Sequence, residues 1–239
     1  MSDLLDILAA VRQDAEAQSA AAVAQDPHRP GRAEAGDFPT QDFGALAEGG
    51  LRPALERRRA NRFFAERDVD PALLGAMVCA GHAADAALWP DERVRPLEFL
   101  VVARAVAGLS PAVHRLGPDG FEPLAAISGA EELSTFVLQP EFAHAPALLL
   151  AVGSLEDALG ADGSHGHRRL LERSGAACEA AWLTAVDAGL VGSIFAGFLP
   201  AALKKLVGID GFRRTQLLAL AVGHAVDASD EHGGAAANG

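Results

Sequence analysis

The sequence contains no tyrosine and only two lysines, the adjacent Lys204 and Lys205. Aromatic residues make up 5% of the 239 residues. Tyrosine and lysine are common proton donors and acceptors in active sites. Any acid–base chemistry therefore falls mainly to histidine, carboxylate or water, and nearly all of the positive charge lies on arginine.

Cysteine and long apolar runs are also scarce. Cys79 and Cys178 lie about a hundred residues apart with no C-x-x-C pair, which excludes a disulfide framework and a zinc-finger spacing and is typical of a reducing cytosol. No run approaches the roughly 18 consecutive apolar residues of a membrane span. Asp3 and Asp6 interrupt the apolar N-terminus, which argues against a signal peptide. We therefore expect a cytoplasmic protein without a membrane partner.

Acidic residues outnumber basic ones: the 20 Lys+Arg and 32 Asp+Glu give a formal net charge of −12. An acidic total argues against nucleic-acid binding, which needs a basic surface. Half of the residues are hydrophobic and 22% are charged, the balance of a soluble globular protein. We expect a full hydrophobic core and no nucleic-acid partner.

Composition divides the chain into three segments. Residues 1–50 combine apolar positions at helical spacing with a loop rich in proline and glycine, which predicts an N-terminal helical arm and loop. The arm either docks on a partner surface or subunit or is a disordered tail. Residues 51–226 are the predicted main domain, and the low-complexity residues 227–239 are a predicted disordered tail.

Helical and strand patterns alternate in the main domain. The predicted helices span residues 51–64, 70–85, 131–139, 167–190 and 199–208. The predicted strands span 96–106, 145–153, 192–198 and 215–225, with a short strand or turn at 121–128. The alternation indicates an α/β or α+β protein with one central sheet. Each tryptophan and cysteine falls in or near a helical pattern and is predicted to be a packing residue.

Four arginines, Arg57, Arg58, Arg59 and Arg62, stand within six residues in LERRRANRFF. Their mutual repulsion on an acidic protein would be offset by a bound anion, and the arginine fork matches phosphate oxygens. The alternative is a solvated helix end whose cations favour the C-terminal dipole. The cluster therefore indicates either a phosphate site or a charged helix end.

Generic catalytic motifs are absent, including the P-loop, G-x-G-x-x-G, G-x-S-x-G and H-E-x-x-H. Among eight histidines, only His165 and His167 are close together, in GSHGHRR. Two histidines in a glycine-bearing loop could begin a metal site, but no third ligand follows at a suitable spacing. We therefore predict no metal.

The string RRANRFF, followed by VDP at the start of a helix, resembles the R-R-S-x-R-x-F start of the flavin-dependent nitroreductase fold. Four further blocks follow in the family's order: PLEFLVVARAVAGLSPAVHRLGPDGFEPL, APALLLAVGSLEDALG, LLERSGAACEAAWLTAVDAGLVGSIFAGF and LKKLVGIDGFRRTQLLALAVGHA. They are most similar to the azoline (thiazoline or oxazoline) dehydrogenases of streptolysin-, microcin- and thiopeptide-type biosynthesis.

The resemblance implies an α+β nitroreductase-like fold, with a central, mostly antiparallel sheet flanked by helices. It also implies FMN in a cleft at the interface of a homodimer. The expected substrate is an azoline-containing peptide oxidised to its thiazole or oxazole, and a cyclodehydratase complex is a further expected partner. Two alternatives share the fold: an NAD(P)H-dependent nitro or quinone reductase, and a non-catalytic partner subunit that has lost FMN.

The first block carries most of the implied cofactor contacts. The resemblance puts Arg58 and Arg62 at the FMN phosphate and ribityl chain, with Arg59 and Ala60 in the same cofactor-binding segment. Ala60 occupies the family's serine position and offers no hydroxyl.

The remaining cofactor contacts come from later blocks. Arg95 is implied near the flavin ring, and the backbone amides of Ala196 and Gly197 at the isoalloxazine edge. The long helix 167–190 has one face of small residues, which a tightly packed dimer helix would need. Glu172 is expected near the start of that helix, where a carboxylate favours the dipole and matches the family's glutamate.

Two departures from the family affect the chemistry. The branch usually has a Lys-Tyr pair before the long helix, where this chain has GSHGHRR, so His165 and His167 are the candidate catalytic bases. A reaction without a side-chain base is the alternative, since aromatisation is strongly downhill. The family also has a basic residue after the final strand. GHAVDASDEHGG supplies none, and Arg213 and Arg214 are candidate substitutes.

Overall fold

The computed structural model describes residues 51–90 and 94–226. The predicted N-terminal arm at 1–50 and the predicted tail at 227–239 lie outside the described residues. The described helices are α1 Leu51–Arg57, α2 Pro71–Leu88, α3 Ala130–Ser134, α4 Leu155–Asp162, α5 Gly166–Asp187 and α6 Pro200–Val207. Short 3₁₀ turns span Pro140–His144 and Gly163–His165. The strands are β1 Glu98–Ala103, β2 Ala112–Gly117, β3 Gly120–Ala126, β4 Ala147–Gly153, β5 Val191–Phe195 and β6 Thr215–Gly223.

The described strands form one sheet in the order β3-β2-β1-β4-β6-β5, and every neighbouring pair is antiparallel. β4 is central and buried along its whole length, as its continuous apolar run predicts. The architecture confirms the α+β class with an antiparallel sheet flanked by helices.

Helices cover both faces of the sheet. Side chains alternate along β1, so Phe99 and Val101 face α2 and α5, whereas Leu100 and Val102 face α3 and α6. Each face has its own buried apolar cluster. The core therefore consists of two layers separated by the sheet.

The small-residue face of α5 lies inside this chain. Ala177, Ala181 and Ala185 are fully buried against α2 and the sheet. At Gly81 of α2, an added Cβ would lie 3.2 Å from the Ala177 carbonyl oxygen and 2.7 Å from the Phe99 ring. The prediction that this face forms a dimer contact is therefore wrong, because small residues here let two helices of one chain approach closely.

A buried ion pair links the same two helices. The Arg173 Nε and Nη2 groups each donate to a different oxygen of Asp85 at 2.7 Å. Asp85 also accepts the backbone N–H of Leu97 at 2.9 Å. By length and composition alone α2 could cross a bilayer, but its buried carboxylate and its packing in the core are those of an internal helix.

Several element boundaries differ from the sequence prediction. The first helix ends at Arg57 rather than at residue 64, since the following residues are extended. α3 is shorter than predicted, and both β2 and α4 were missed. α5 begins at Gly166, so Glu172 lies beyond its first turn and does not interact with the helix end as expected.

Candidate functional site

An extended segment, residues 58–62, lies beside β5 and is called the strap below. Asn61 donates its backbone N–H to the Gly192 carbonyl at 2.8 Å, and Ala60 forms a parallel bridge with Gly192. β5 is the last strand of the sheet, so its outer backbone groups need a partner. This pairing overrides the local helical preference and presents the arginines along the sheet edge.

Arg58 is held by two residues of α5. Its Nε lies 3.1 Å from Glu179 Oε1, and its guanidinium carbon lies 4.5 Å from the centroid of the Trp182 ring. Despite the short distance to Glu179, Nε is buried and has no hydrogen-bond acceptor with suitable geometry among the described residues. The guanidinium is therefore positioned but incompletely hydrogen-bonded.

The other three arginines of the cluster also have partners. Arg62 Nη1 donates to Glu141 Oε1 at 3.2 Å, and Arg57 Nη2 lies 3.6 Å from Asp187 Oδ1. Arg59 donates to backbone carbonyls in and just after α1. The repulsion within the cluster is thus offset in part by carboxylates of this chain.

Ala196 and Gly197 follow β5, roughly 13 Å along the strand from the point where the strap pairs with it. The Gly197 carbonyl accepts the backbone N–H of Leu138 at 2.7 Å. A Cβ at Gly197 would lie 2.6 Å from Gln139 Oε1, which is buried and has no donor among the described residues. The structure therefore brings the strap and Ala196–Gly197 to one edge strand, with unsatisfied polar atoms at both ends.

These residues fit a group with an anionic end and a polar ring edge, such as the FMN expected from the resemblance. Among residues 51–90 and 94–226, the Arg58 Nε donor has no well-aligned acceptor and the Gln139 Oε1 acceptor has no donor. Arg62, whose side chain is 60% exposed, adds a second cation. Ala60 contributes only its backbone, so the anionic end would depend on the two guanidinium groups.

Arg95 lies at the opposite end of the sheet. Its Nε donates to Asp157 Oδ2 at 2.6 Å, and this hydrogen bond raises the pKa of Arg95. Arg95 precedes β1, whose first residue, Glu98, pairs with Val152 near one end of β4. The strap pairs with Gly192 of β5, which is level with Ala147 at the other end of β4. The separation along the sheet is roughly 17 Å, so one chain does not bring Arg95 to the strap.

His165 and His167 lie near the start of α5 and are exposed. Glu179 lies on the same helix about 18 Å further along its axis. One chain therefore does not bring these histidines to the strap either. Within 51–90 and 94–226, no three His, Cys, Asp or Glu side chains are grouped to hold a metal.

Arg213 and Arg214 do not replace the missing basic residue after β6 within one chain. Arg214 Nη2 donates to Glu98 Oε2 at 2.8 Å, near the first residue of β6. The strap is level with Val222, roughly 24 Å further along that strand. The prediction that Arg213 or Arg214 takes the place of that basic residue is wrong for a single chain, because these arginines and the strap lie at opposite ends of β6.

No sequence motif indicates Glu179, Glu141 or Gln139 as site residues. The helical pattern predicts Trp182 to be a packing residue, and this is confirmed, since Trp182 is 4% exposed. Its contact with Arg58 was not foreseen. Glu179 and Trp182 share a face of α5 by their i, i+3 spacing, but no local signal relates them to an arginine 121 residues earlier.

The sheet, the helices on both of its faces and the strap define a nitroreductase-like α+β protein. The chain belongs to the nitroreductase family, whose profile matches residues 55–224. No curated protein sequence matches the chain.

Solved structures share the fold. A protein designated a nitroreductase from Anabaena variabilis has a TM-score of 0.62 and 17% identity over 73% of this chain, which spans only 38% of that protein. A nitroreductase family protein from Clostridium novyi has a TM-score of 0.51 and 17% identity, covering 72% of this chain and 84% of that one. The E. coli microcin synthetase McbBCD complex with truncated pro-MccB17 bound has a TM-score of 0.54 and 17% identity, covering 72% and 70%.

Proposed function

We propose that the protein is an FMN-dependent oxidoreductase. The observation that carries the proposal is the strap, where Glu179 and Trp182 fix Arg58 and where its buried Nε has no well-aligned hydrogen-bond acceptor among the described residues. The Arg58 side chain is 34% exposed, and a phosphate would bind to its exposed part, since arginine binds phosphate through a planar fork of donors. Membership of the nitroreductase family supports an oxidoreductase.

The proposed reaction is the dehydrogenation of a thiazoline or oxazoline ring in a ribosomally made peptide to a thiazole or oxazole. The five sequence blocks of the azoline dehydrogenase branch support this substrate. The fold shared with a chain of the microcin synthetase complex, which was solved with a truncated pro-peptide bound, is consistent with it.

The ring loses two electrons and one proton as a hydride and a second proton to a base, and molecular oxygen is the final electron acceptor. FMN, when bound, supplies the two-electron acceptor. Arg58 and Arg62 would bind its phosphate, and the backbone at Ala196–Gly197 would orient its ring edge. His165 or His167 takes the second proton, since neutral imidazole is an effective base near pH 7.

A homodimer reconciles this assignment with the geometry. In one chain Arg95, His165 and His167 lie far from the strap. In a symmetric dimer, one subunit contributes the strap and Ala196–Gly197. Its partner contributes His165 and His167, called the histidine end below. A cyclodehydratase would supply the azoline peptide, and a reducing cytoplasm suits the two free thiols.

The test begins with the absorbance spectrum of the purified full chain, with and without added FMN. The FMN-loaded protein should convert an azoline-containing peptide to a product lighter by two hydrogen atoms for each ring oxidised, with one hydrogen peroxide formed per ring. A protein that binds no flavin would overturn the proposal.

Two alternatives give different results in the same assays. The fold shared with designated nitroreductases favours an NAD(P)H-dependent nitro or quinone reductase, which would oxidise NADPH with a nitroaromatic and leave the peptide unchanged. The alanine at position 60 and the carboxylates beside Arg58 and Arg62 favour a non-catalytic partner subunit. Such a subunit would lack flavin yet increase the activity of a cyclodehydratase.

A further inference from the structure

The long helix α5 contacts Arg58 through two side chains with opposite chemistry. Glu179 brings a carboxylate 3.1 Å from Nε, and Trp182 places its ring face 4.5 Å from the guanidinium carbon. The two residues are one turn apart on the same helix face. Arg58 is therefore held between an anion and an aromatic surface.

Trp182 is fixed in place beneath the strap. Its side chain is almost fully buried, and the indole lies against Gly192, the residue that pairs with Ala60 and Asn61. A Cβ at Gly192 would lie 3.2 Å from the indole Nε1, so glycine leaves the space that the ring occupies. A guanidinium over a buried ring face is held without using its N–H groups as donors to that ring, so they stay available to an acceptor.

Glu179, unlike Trp182, occupies the Arg58 guanidinium with a negative charge. The Arg58 and Glu179 side chains are 34% and 37% exposed, so water and solutes reach the pair. Exposed ion pairs of this kind are weak. A phosphate carries more charge than a carboxylate and forms stronger paired hydrogen bonds with arginine. The carboxylate can therefore be displaced, but any incoming anion must compete with it.

We propose that α5 sets the phosphate affinity of the strap, with Trp182 holding Arg58 in position for the anion and Glu179 competing with the anion for the same guanidinium. Both are positioning residues, and the inference rests on the proposed FMN site. It predicts that removing the two side chains shifts FMN affinity in opposite directions.

The experiment measures dissociation constants of the full-length protein for FMN and riboflavin by flavin fluorescence titration. Glu179→Gln should tighten FMN binding by about three- to fivefold. Trp182→Leu should weaken it by about three- to fivefold. Riboflavin, which lacks the phosphate, should show neither change.

Two control variants make the result specific. Glu122→Gln, on β3 at the opposite edge of the sheet, removes the same charge from an exposed pair with Arg115 of β2 and should leave FMN binding unchanged. Trp182→Phe keeps an aromatic face and should bind FMN within about twofold of the wild type. Melting curves of both tryptophan variants separate a loss of folding from a loss of the ring contact.

The inference is overturned if Glu179→Gln and Glu122→Gln have equal effects, if riboflavin binding tightens equally, or if a folded Trp182→Leu protein binds FMN as the wild type does. Calorimetric titration with inorganic phosphate separates it from the proposed function. Phosphate binding that tightens in Glu179→Gln without any flavin binding would refute only the FMN proposal. If neither FMN nor phosphate binds to any of the proteins, both fail.

Discussion

The two cysteines show how burial alone controls the chemistry of single residues. Cys178 is fully buried in α5, and desolvation raises the pKa of its thiol to about 12. Cys79 is 6% exposed, and burial raises its pKa as well. It lines a cavity of about 350 Å³ between α2 and the β2–β3 hairpin. Both behave as the small core residues that the sequence predicts.

This burial predicts slow and ordered modification by a thiol reagent. Because the thiolate is the reactive form, Cys178 should stay unmodified in the native protein at pH 8, and Cys79 should react first through its cavity. Mass spectrometry of a time course with iodoacetamide measures the order. Modification of both residues at the rate seen in urea would contradict the assignment.

The same shift gives a pH dependence with a definite sign. The pKa of Cys178 in the folded protein lies above the value near 9 of an unfolded thiol. The buried, protonated thiol therefore makes its full contribution to the free energy of unfolding below pH 9. It is lost as the pH rises from 9 towards 12, since only the unfolded chain ionises there.

The Asp85–Arg173 pair is the buried charged contact on which the α2–α5 packing depends. Both side chains are almost fully buried, and each also bonds to the backbone before β1. Asp85→Asn would leave the Arg173 charge without a counterion, which typically costs about 3–5 kcal/mol. Urea unfolding should show this loss, whereas Glu122→Gln, in an exposed pair, should change stability by at most about 1 kcal/mol. Equal losses would refute the role of the buried pair.

Among the elements, α4 and α5 meet at a contact that only glycine permits. A Cβ at Gly166, the first residue of α5, would overlap the backbone carbonyl of Ala158 in α4. Because backbone rather than a flexible side chain is in the way, Gly166→Ala should destabilise the protein by about 3 kcal/mol. The measurement is the free energy of unfolding in urea.

Gly160 of α4 is the matched control for this prediction. No atom lies within 4 Å of a Cβ added there, and the residue is helical. Gly160→Ala should therefore stabilise the protein by up to about 1 kcal/mol, since alanine loses less conformational entropy in a helix. Changes of the same sign at both positions would show that the close contact is not responsible.

The elements also show what the sequence could predict. β4 was predicted well because its apolar run is continuous, and α2 because Pro71 marks its start. The first helix was overextended because the strap is held by β5, far away in sequence. β2 was missed because it does not alternate: its first three residues are buried, and the last three are half-buried or exposed.

At the scale of the whole molecule, the candidate site could be predicted only in part. Resemblance related the arginines to Ala196–Gly197, and the fold places both along β5. Glu179 and Trp182 could not be predicted as contacts of Arg58, because their proximity depends on how α5 crosses the sheet. The histidine end could not be related to the strap within one chain at all.

That separation leads to a prediction about the proposed homodimer. If each active site combines the strap of one subunit with His165 and His167 of the other, two inactive variants can complement each other. Arg58→Glu disables the strap, and the double variant His165→Ala, His167→Ala disables the base. A mixed dimer then contains one site with both defects and one site with neither.

Refolding the two inactive variants together at equal amounts should recover about a quarter of wild-type activity, because about half of the dimers are mixed and each has one intact site of two. Peroxide release with an azoline-containing peptide measures the recovery, and each variant refolded alone gives the baseline. Mixed dimers that form, as shown by a tag on one variant, but remain inactive would refute a site shared between subunits. Full activity of the histidine variant alone would instead favour aromatisation without a side-chain base.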